Sequence, residues 1–152
     1  MLEIFLDGDA CPVKDEAARV ARRHGLVVHI VSNGGLRPSR NPEFDHVTVA
    51  AGADAADDWI AEHVGTDDIA ITSDLPLAAR CLAKGAVVLS AKGEAIGEER
   101  IGMALALRDL SRHLREVTGR ETHHAAFGKR DRSRFLDALE NAIQAIRRRS
   151  LR

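Results

Sequence analysis

The stretch Ile4-Phe5-Leu6-Asp7-Gly8-Asp9-Ala10-Cys11-Pro12 decides how the rest of the chain is read. An apolar run ends abruptly in two aspartates with one glycine between them, and a proline follows. The run spans about Leu2 to Leu6 and is too continuously apolar for a strand with one wet face. It is expected at the centre of a sheet, covered on both sides. The same grammar returns at Ile69-Ala70-Ile71-Thr72-Ser73-Asp74-Leu75-Pro76. Both stretches read as buried parallel strands that deliver aspartates to their carboxyl ends.

Outward from these two strands the chain alternates strands and helices. Pro12 fits a first helical position, and Val13, Ala17, Val20 and Ala21 recur at helical spacing until Gly25. Leu26 to Val31 is the second strand, and Ser32 to Phe44 a long loop carrying Asn33, Gly34, Gly35, Arg37 and Arg40. His46 to Ala50 is a short third strand. Asp54 then caps a helix through about His63, with Asp57 at capping-box distance. Ile69 to Ser73 is the fourth strand, Pro76 to Gly85 a helix, and Ala86 to Ser90 the fifth strand. A helix from about Glu98 to Val117 carries the apolar stripe Ile101, Leu105, Leu107, Leu110 and Leu114. A loop follows over 118–129. The last helix runs from about Asp131 to Arg147 and turns Phe135, Leu136, Leu139, Ile143 and Ile146 inward.

Such alternation predicts an α/β fold: a Rossmann-like, three-layer domain with a five-stranded, mainly parallel sheet and helices on both faces. Crossovers are right-handed, and ligands sit at the carboxyl ends where strand order reverses. The order 3-2-1-4-5 puts the first and fourth strands side by side at that reversal, so Asp7 and Asp74 meet across the crevice. One domain over residues 1–152 is expected, with 147–152 a frayed basic tail.

Composition narrows the function classes. The 22 Lys and Arg nearly balance the 23 Asp and Glu, so any basic surface for nucleic acid must be local. Cys11 and Cys81 form neither a disulfide framework nor a metal motif, which suits a reduced compartment. Asp7 interrupts the first apolar run too early for a signal peptide, and no run reaches membrane length. A cytoplasmic protein without a membrane partner is expected. Aromatics are only 3% of residues, so no base-stacking platform is visible.

The chemistry lies in the carboxylates. Asp7 and Asp9 leave the first strand together, Asp74 ends the fourth, and Asp54 and Asp57 open a helix one turn apart. Carboxylates gathered in one crevice repel each other and stay ionised only with a cation between them. A hard divalent ion with oxygen ligands, Mg²⁺ or Mn²⁺, answers that need, and such a site suits phosphodiester hydrolysis. Singly, each aspartate also reads as a helix cap, and Asp58 as a solvent-facing residue; the force lies in convergence. Cys11, although near a helix start, reads as a small packed thiol. His123 and His124 lack further spaced ligands and read as exposed loop residues. Lys129, Arg130, Arg132 and Arg134 are open between phosphate contact and a solvated helix start. Arg37 and Arg40 are better placed, because their loop leaves the carboxyl end of the second strand.

With these residues in view, the chain resembles the YaiI/YqxD family, also called UPF0178 or DUF188. The resemblance rests on Asp7-Gly8-Asp9-Ala10-Cys11-Pro12-Val13-Lys14, Asp54-Ala55-Ala56-Asp57, Thr72-Ser73-Asp74-Leu75-Pro76-Leu77-Ala78, Lys84-Gly85-Ala86 and Arg130-Asp131-Arg132 followed by Phe135. Gly8 stands where that family commonly has alanine. The family in turn resembles PIN-like nucleases, whose acidic residues hold Mg²⁺ or Mn²⁺ on a sheet of order 3-2-1-4-5. That resemblance implies metal ligation by Asp7, Asp9, Asp57 and Asp74, with Asp54 as a helper, and favours Asp57 over Asp58.

The combined expectation is a PIN-like, divalent-metal-dependent ribonuclease. Asp7, Asp57 and Asp74 hold the main ion, and Asp9 orients water or binds a second ion. Lys14, Asn33, Arg37 and Arg130 contact the phosphates of an RNA substrate. Two other classes share the motifs. One is a haloacid-dehalogenase-like phosphotransferase using the Asp7-Gly8-Asp9 spacing; the other is a metal- or nucleic-acid-binding protein without catalysis.

Overall fold

In the computed structural model the described residues are 2–8, 11–33, 44–49, 54–103, 106–107 and 127–150. Strand β1 (Ile4–Asp7) leads to helix α1 (Lys14–His24), then β2 (Val28–Ser32) and β3 (Phe44–Thr48). Helix α2 (Ala55–His63) precedes β4 (Ile69–Ile71), and α3 (Leu75–Ala83) precedes β5 (Val87–Leu89) and β6 (Ala95–Ile96). Residues 98–103 are helical, and a C-terminal helix spans Lys129–Ser150. The sheet order is β3-β2-β1-β4-β5-β6. All pairings among the first five strands are parallel, and β6 returns antiparallel to β5.

Alternation of side chains across the pleat explains the layers. Ile4 and Leu6 of β1, Val28 and Ile30 of β2, and Ile69 and Ile71 of β4 face one way. They pack on Val13, Ala17, Val20 and Ala21 around α1, and on Phe135, Leu139, Ile143 and Ile146 of the C-terminal helix. Phe5, Val31, Ala70 and Val88 face the other way, onto Ala56, Ile60 and Ala61 of α2 and Leu77, Ala78 and Cys81 of α3. The sheet is therefore buried on both faces, which is why its central strands read as unbroken apolar runs rather than alternating ones.

Helix ends follow the local chemistry. Gly25 takes a left-handed conformation (φ 66°) after α1, and its N–H and that of Leu26 donate to Arg22 and Ala21 carbonyls. Arg147 Nη1 donates to His24 Nδ1 at 2.9 Å, so the ring hydrogen sits on Nε2 and is donated to Glu140 at 2.6 Å. These bonds tie the end of α1 to the C-terminal helix.

Several expectations are corrected. The sheet has six strands, not five, because the turn after β5 folds back as the two-residue β6. Pro12 lies in a turn, and α1 starts at Lys14 with Val13 at the cap position. Val13 is fully buried and its carbonyl accepts from Ala17 N–H, so packing sets this helix start. The C-terminal helix continues to Ser150, so 147–150 are helical rather than frayed. Arg147 and Arg149 hold that end through His24 and Asp67. Ile101 is buried, but Leu107 is 59% exposed, so the expected stripe does not include it. Leu105, Leu110, Leu114, the loop over 118–126 with His123 and His124, and most of the glycine-rich loop lie outside the described residues. Among the described residues, no helix is long and apolar enough to cross a membrane.

Candidate functional site

β1 and β4 are paired in parallel, with Leu6 opposite Ile71. One step further in register, Asp7 ends its strand level with Thr72, two residues before Asp74. Strand order reverses here: β2 and β3 lie to one side of β1, and β4 and β5 to the other. A cleft of about 190 Å³ opens at this point, lined by Asp7, Cys11, Thr72, Ser73 and Asp74 among others.

Asp74 is held firmly. Its backbone N–H donates to Thr72 Oγ1 at 3.0 Å, and its Oδ1 accepts the Leu77 N–H at 3.0 Å as the N-cap of α3. Capping and a site role coexist here, because one carboxylate oxygen suffices for the cap. Pro76 in the first turn of the same helix fits as expected. Asp54 occupies the N-cap position of α2, but its side chain makes no capping bond. Asp54 thus takes the expected cap position without making the capping bond. The start of α2 relies on the Asp58 N–H donating to the Asp54 carbonyl at 2.8 Å.

Asp57, one turn into α2, reports the electrostatics of the crevice. Its carboxyl is pushed up to about 6, first by burial and then by the charges of Asp74, Asp7 and Asp54. Arg80 opposes the shift only weakly, because its guanidinium is engaged by Asp58, Nη1 to Oδ1 at 2.7 Å. Asp58 faces out, and Asp57 faces the other acids, as one step of about 100° around a helix requires. The charges of Asp7, Asp54 and Asp74 thus all reach the Asp57 carboxyl.

Among the described residues, no three His, Cys, Asp or Glu side chains stand close enough to hold an ion together. The all-carboxylate donor set and the raised Asp57 carboxyl fit a hard divalent ion.

A pH prediction follows for the metal-free protein. The unfolded Asp57 carboxyl releases its proton near the ordinary value of about 3.9, whereas the folded one keeps it to about pH 6. Between these values the folded state binds more protons, so stability falls as pH rises. The contribution is fully present below about pH 4 and lost above about pH 6. Asp57→Asn should therefore stabilise the metal-free fold at pH 7, by on the order of 1–2 kcal/mol after solvent screening. It should change little at pH 4. Urea unfolding of both proteins at the two pH values measures this; an equal offset at both would contradict it.

The remaining expected residues divide. Asp9 and Arg37 lie outside the described residues. Lys14 opens α1, is half-buried, and its charge lowers the Cys11 thiol, which burial nonetheless pushes up to about 11. Cys11 is accordingly a packed thiol on the cleft wall rather than a reactive one. Cys81 is fully buried, also with its thiol raised to about 11, and both cysteines are free. Asn33 is exposed just after β2. Arg130 is exposed on the first turn of the C-terminal helix and does not line the carboxylate cleft.

Arg132 was open between two roles in the sequence, and here it is an internal clamp. Its Nη1 donates to the Pro12 carbonyl at 2.8 Å and to Glu16 Oε1 at 2.9 Å, and its guanidinium lies 4.9 Å from the Phe127 ring centroid. It thereby anchors the turn that follows the Asp7–Asp9 loop. No local pattern announces a contact between residues 120 positions apart.

The fold and this crevice define a class: an α/β protein with a parallel-centred sheet and a carboxylate-lined cleft where strand order reverses. Within that class, the chain belongs to the YaiI/YqxD family. Residues 5–145 match the family described as uncharacterized BCR, YaiI/YqxD family. The chain is 59% identical over 149 residues to a UPF0178 protein of Parvibaculum lavamentivorans, covering 98% of each. It is 54% identical over 148 residues to a UPF0178 protein of Rhodospirillum rubrum, covering 97% of this chain and 99% of the relative. A UPF0178 protein of Agrobacterium fabrum is 52% identical over 146 residues, 96% of this chain and 95% of its own. No solved structure matches the chain.

Proposed function

We propose that this protein is a PIN-like, divalent-metal-dependent ribonuclease that hydrolyses phosphodiester bonds in RNA. The observation that carries the reading is the cleft lined by Asp7 and Asp74 at the reversal of strand order, with Asp57 near enough for both charges to act on its carboxyl. Asp7, Asp57 and Asp74 would hold Mg²⁺ or Mn²⁺, with Asp54 supporting Asp57 from one turn away. Bound there, such an ion supplies positive charge to the phosphoryl oxygens and activates water. Asp9 lies beside Asp7 in sequence and is assigned to orient the attacking water or to hold a second ion. Asp74 Oδ1 already accepts the Leu77 N–H before any ligand arrives, so its carboxylate is preorganised. Lys14, Asn33, Arg37 and Arg130 are the proposed contacts to flanking phosphates.

The reading makes a binding prediction separable from catalysis. Millimolar Mn²⁺ should raise the melting temperature of protein first shown to be metal-free, because the ion binds only the folded state. Asp57→Asn should reduce Mn²⁺ affinity by calorimetry, and Asp58→Asn should leave it near wild type, since Asp58 is paired with Arg80 and faces away. An unchanged melting temperature, or the reverse ranking of the two variants, would count against the site.

A further inference from the structure

A second groove, of about 390 Å³, runs on from the carboxylate cleft and shares Ser73 and Ala91 with it. Leu75, Lys92, Arg100 and Phe127 also line it. Arg100 spends its charge locally, donating to Glu94 and to the Ala95 carbonyl. Lys92 is half-buried and, among the described residues, has no ion pair. It therefore supplies the uncompensated positive charge of this groove.

Lys92 is also rigidly carried. It sits in the β5–β6 turn, where Ser90 N–H donates to the Glu94 carbonyl at 2.9 Å and Gly93 N–H to the Ser90 carbonyl at 3.0 Å. Ser90 Oγ accepts the Glu94 N–H at 3.1 Å. Phe127 is held by the Arg132 guanidinium over its ring and by the core against which it packs. A lysine carried on a fixed turn and a held aromatic ring thus share one groove. That pairing matches a nucleotide, which offers a phosphate to the first and a base to the second.

We propose that this groove is a second subsite for a single RNA strand, holding the nucleotide beside the reacting phosphate with its own phosphate on Lys92 and its base against Phe127. The assignment rests on the ribonuclease reading for the identity of the strand. It also meets a need created by the acidic cleft: a polyanion crossing four carboxylates needs cationic contact beside them.

The test is fluorescence anisotropy with a labelled single-stranded oligoribonucleotide. Asp74→Asn protein is used so that the strand is not cut and one repelling charge is removed. Adding Lys92→Gln should weaken binding and reduce the slope of log affinity against log salt by about 0.7, the value for one single-strand phosphate contact. Adding Lys92→Arg instead should restore both. Phe127→Leu, which keeps an apolar side chain against the core, should weaken binding roughly fivefold or more. Arg148→Gln, at the far end of the C-terminal helix, should change neither. Affinity and slope unchanged by Lys92→Gln would overturn the subsite even if wild-type protein cuts RNA. Absence of any RNA binding would overturn it as well. Lys92-dependent binding by a wild-type protein that cuts nothing would uphold the groove as an RNA site and remove the ribonuclease reading.

Discussion

Asp7→Asn and Asp74→Asn should each nearly abolish Mn²⁺-dependent cleavage of single-stranded RNA, and the double variant should be scarcely slower than either alone. Both residues are assigned to one ion, from neighbouring strands that only folding brings together. Asparagine keeps size and shape but removes the charge that a hard cation needs. Residues acting as a unit are not additive, so once one ligand fails the second loss adds little. The fold should survive. Asn is as good an N-cap as Asp, so the Leu77 N–H keeps its partner in Asp74→Asn. Loss of one charge also relieves repulsion on Asp57. A time course on labelled RNA, with circular dichroism as the folding control, measures the effect. Unchanged rates in both variants would move the site elsewhere. Wild-type protein that cuts no RNA with any metal would leave the non-catalytic binding reading, and an aspartyl-phosphate would favour the phosphotransferase.

The second large effect is on stability, and it acts where the β5–β6 turn meets the C-terminal helix. Gly93 has φ +82°, and a Cβ placed there would lie 2.5 Å from the Arg134 carbonyl oxygen and 2.8 Å from the Phe135 nitrogen. These are backbone atoms of a packed helix, so no side-chain rotation relieves the clash. Gly93→Ala should therefore cost about 3–5 kcal/mol, combining left-handed strain with overpacking. For a chain of this length that lowers the melting temperature by roughly 8–15 °C. Gly97→Ala is the control: a Cβ there meets nothing within 4 Å. Thermal melts of the three proteins decide the matter, and equal melting temperatures for Gly93→Ala and wild type would show that turn and helix do not pack as described.

What was legible in the sequence follows from where local patterns carry the information. The central strands were readable because burial on both faces leaves unbroken apolar runs, as in Ile4-Phe5-Leu6 and Ile69-Ala70-Ile71. Their order was readable because strand–helix alternation and right-handed crossovers admit few arrangements. The convergence of Asp7 and Asp74 on one cleft followed from that order. β6 was not legible: two residues returning antiparallel carry no period, and the turn Ala91-Lys92-Gly93 reads equally as a loop. The start of α1 was misplaced at Pro12 because the anchor there is tertiary, the full burial of Val13. Asp54 fits a cap by residue type and position, yet no bond forms. The Arg132 clamp and the Lys92–Phe127 groove depend on contacts between distant segments, and only the fold brings those together.

The most direct measurement is a crystal structure soaked in Mn²⁺, read by its anomalous signal. The expected map places an ion between the Asp7 and Asp74 carboxylates at about 2 Å from each, with Asp57 drawn toward it. Asp74 Oδ1 should keep its bond to the Leu77 N–H in that structure. A well-occupied ion elsewhere, or a carboxylate crevice without anomalous density at saturating Mn²⁺, would contradict the metal site from which the proposed function is built.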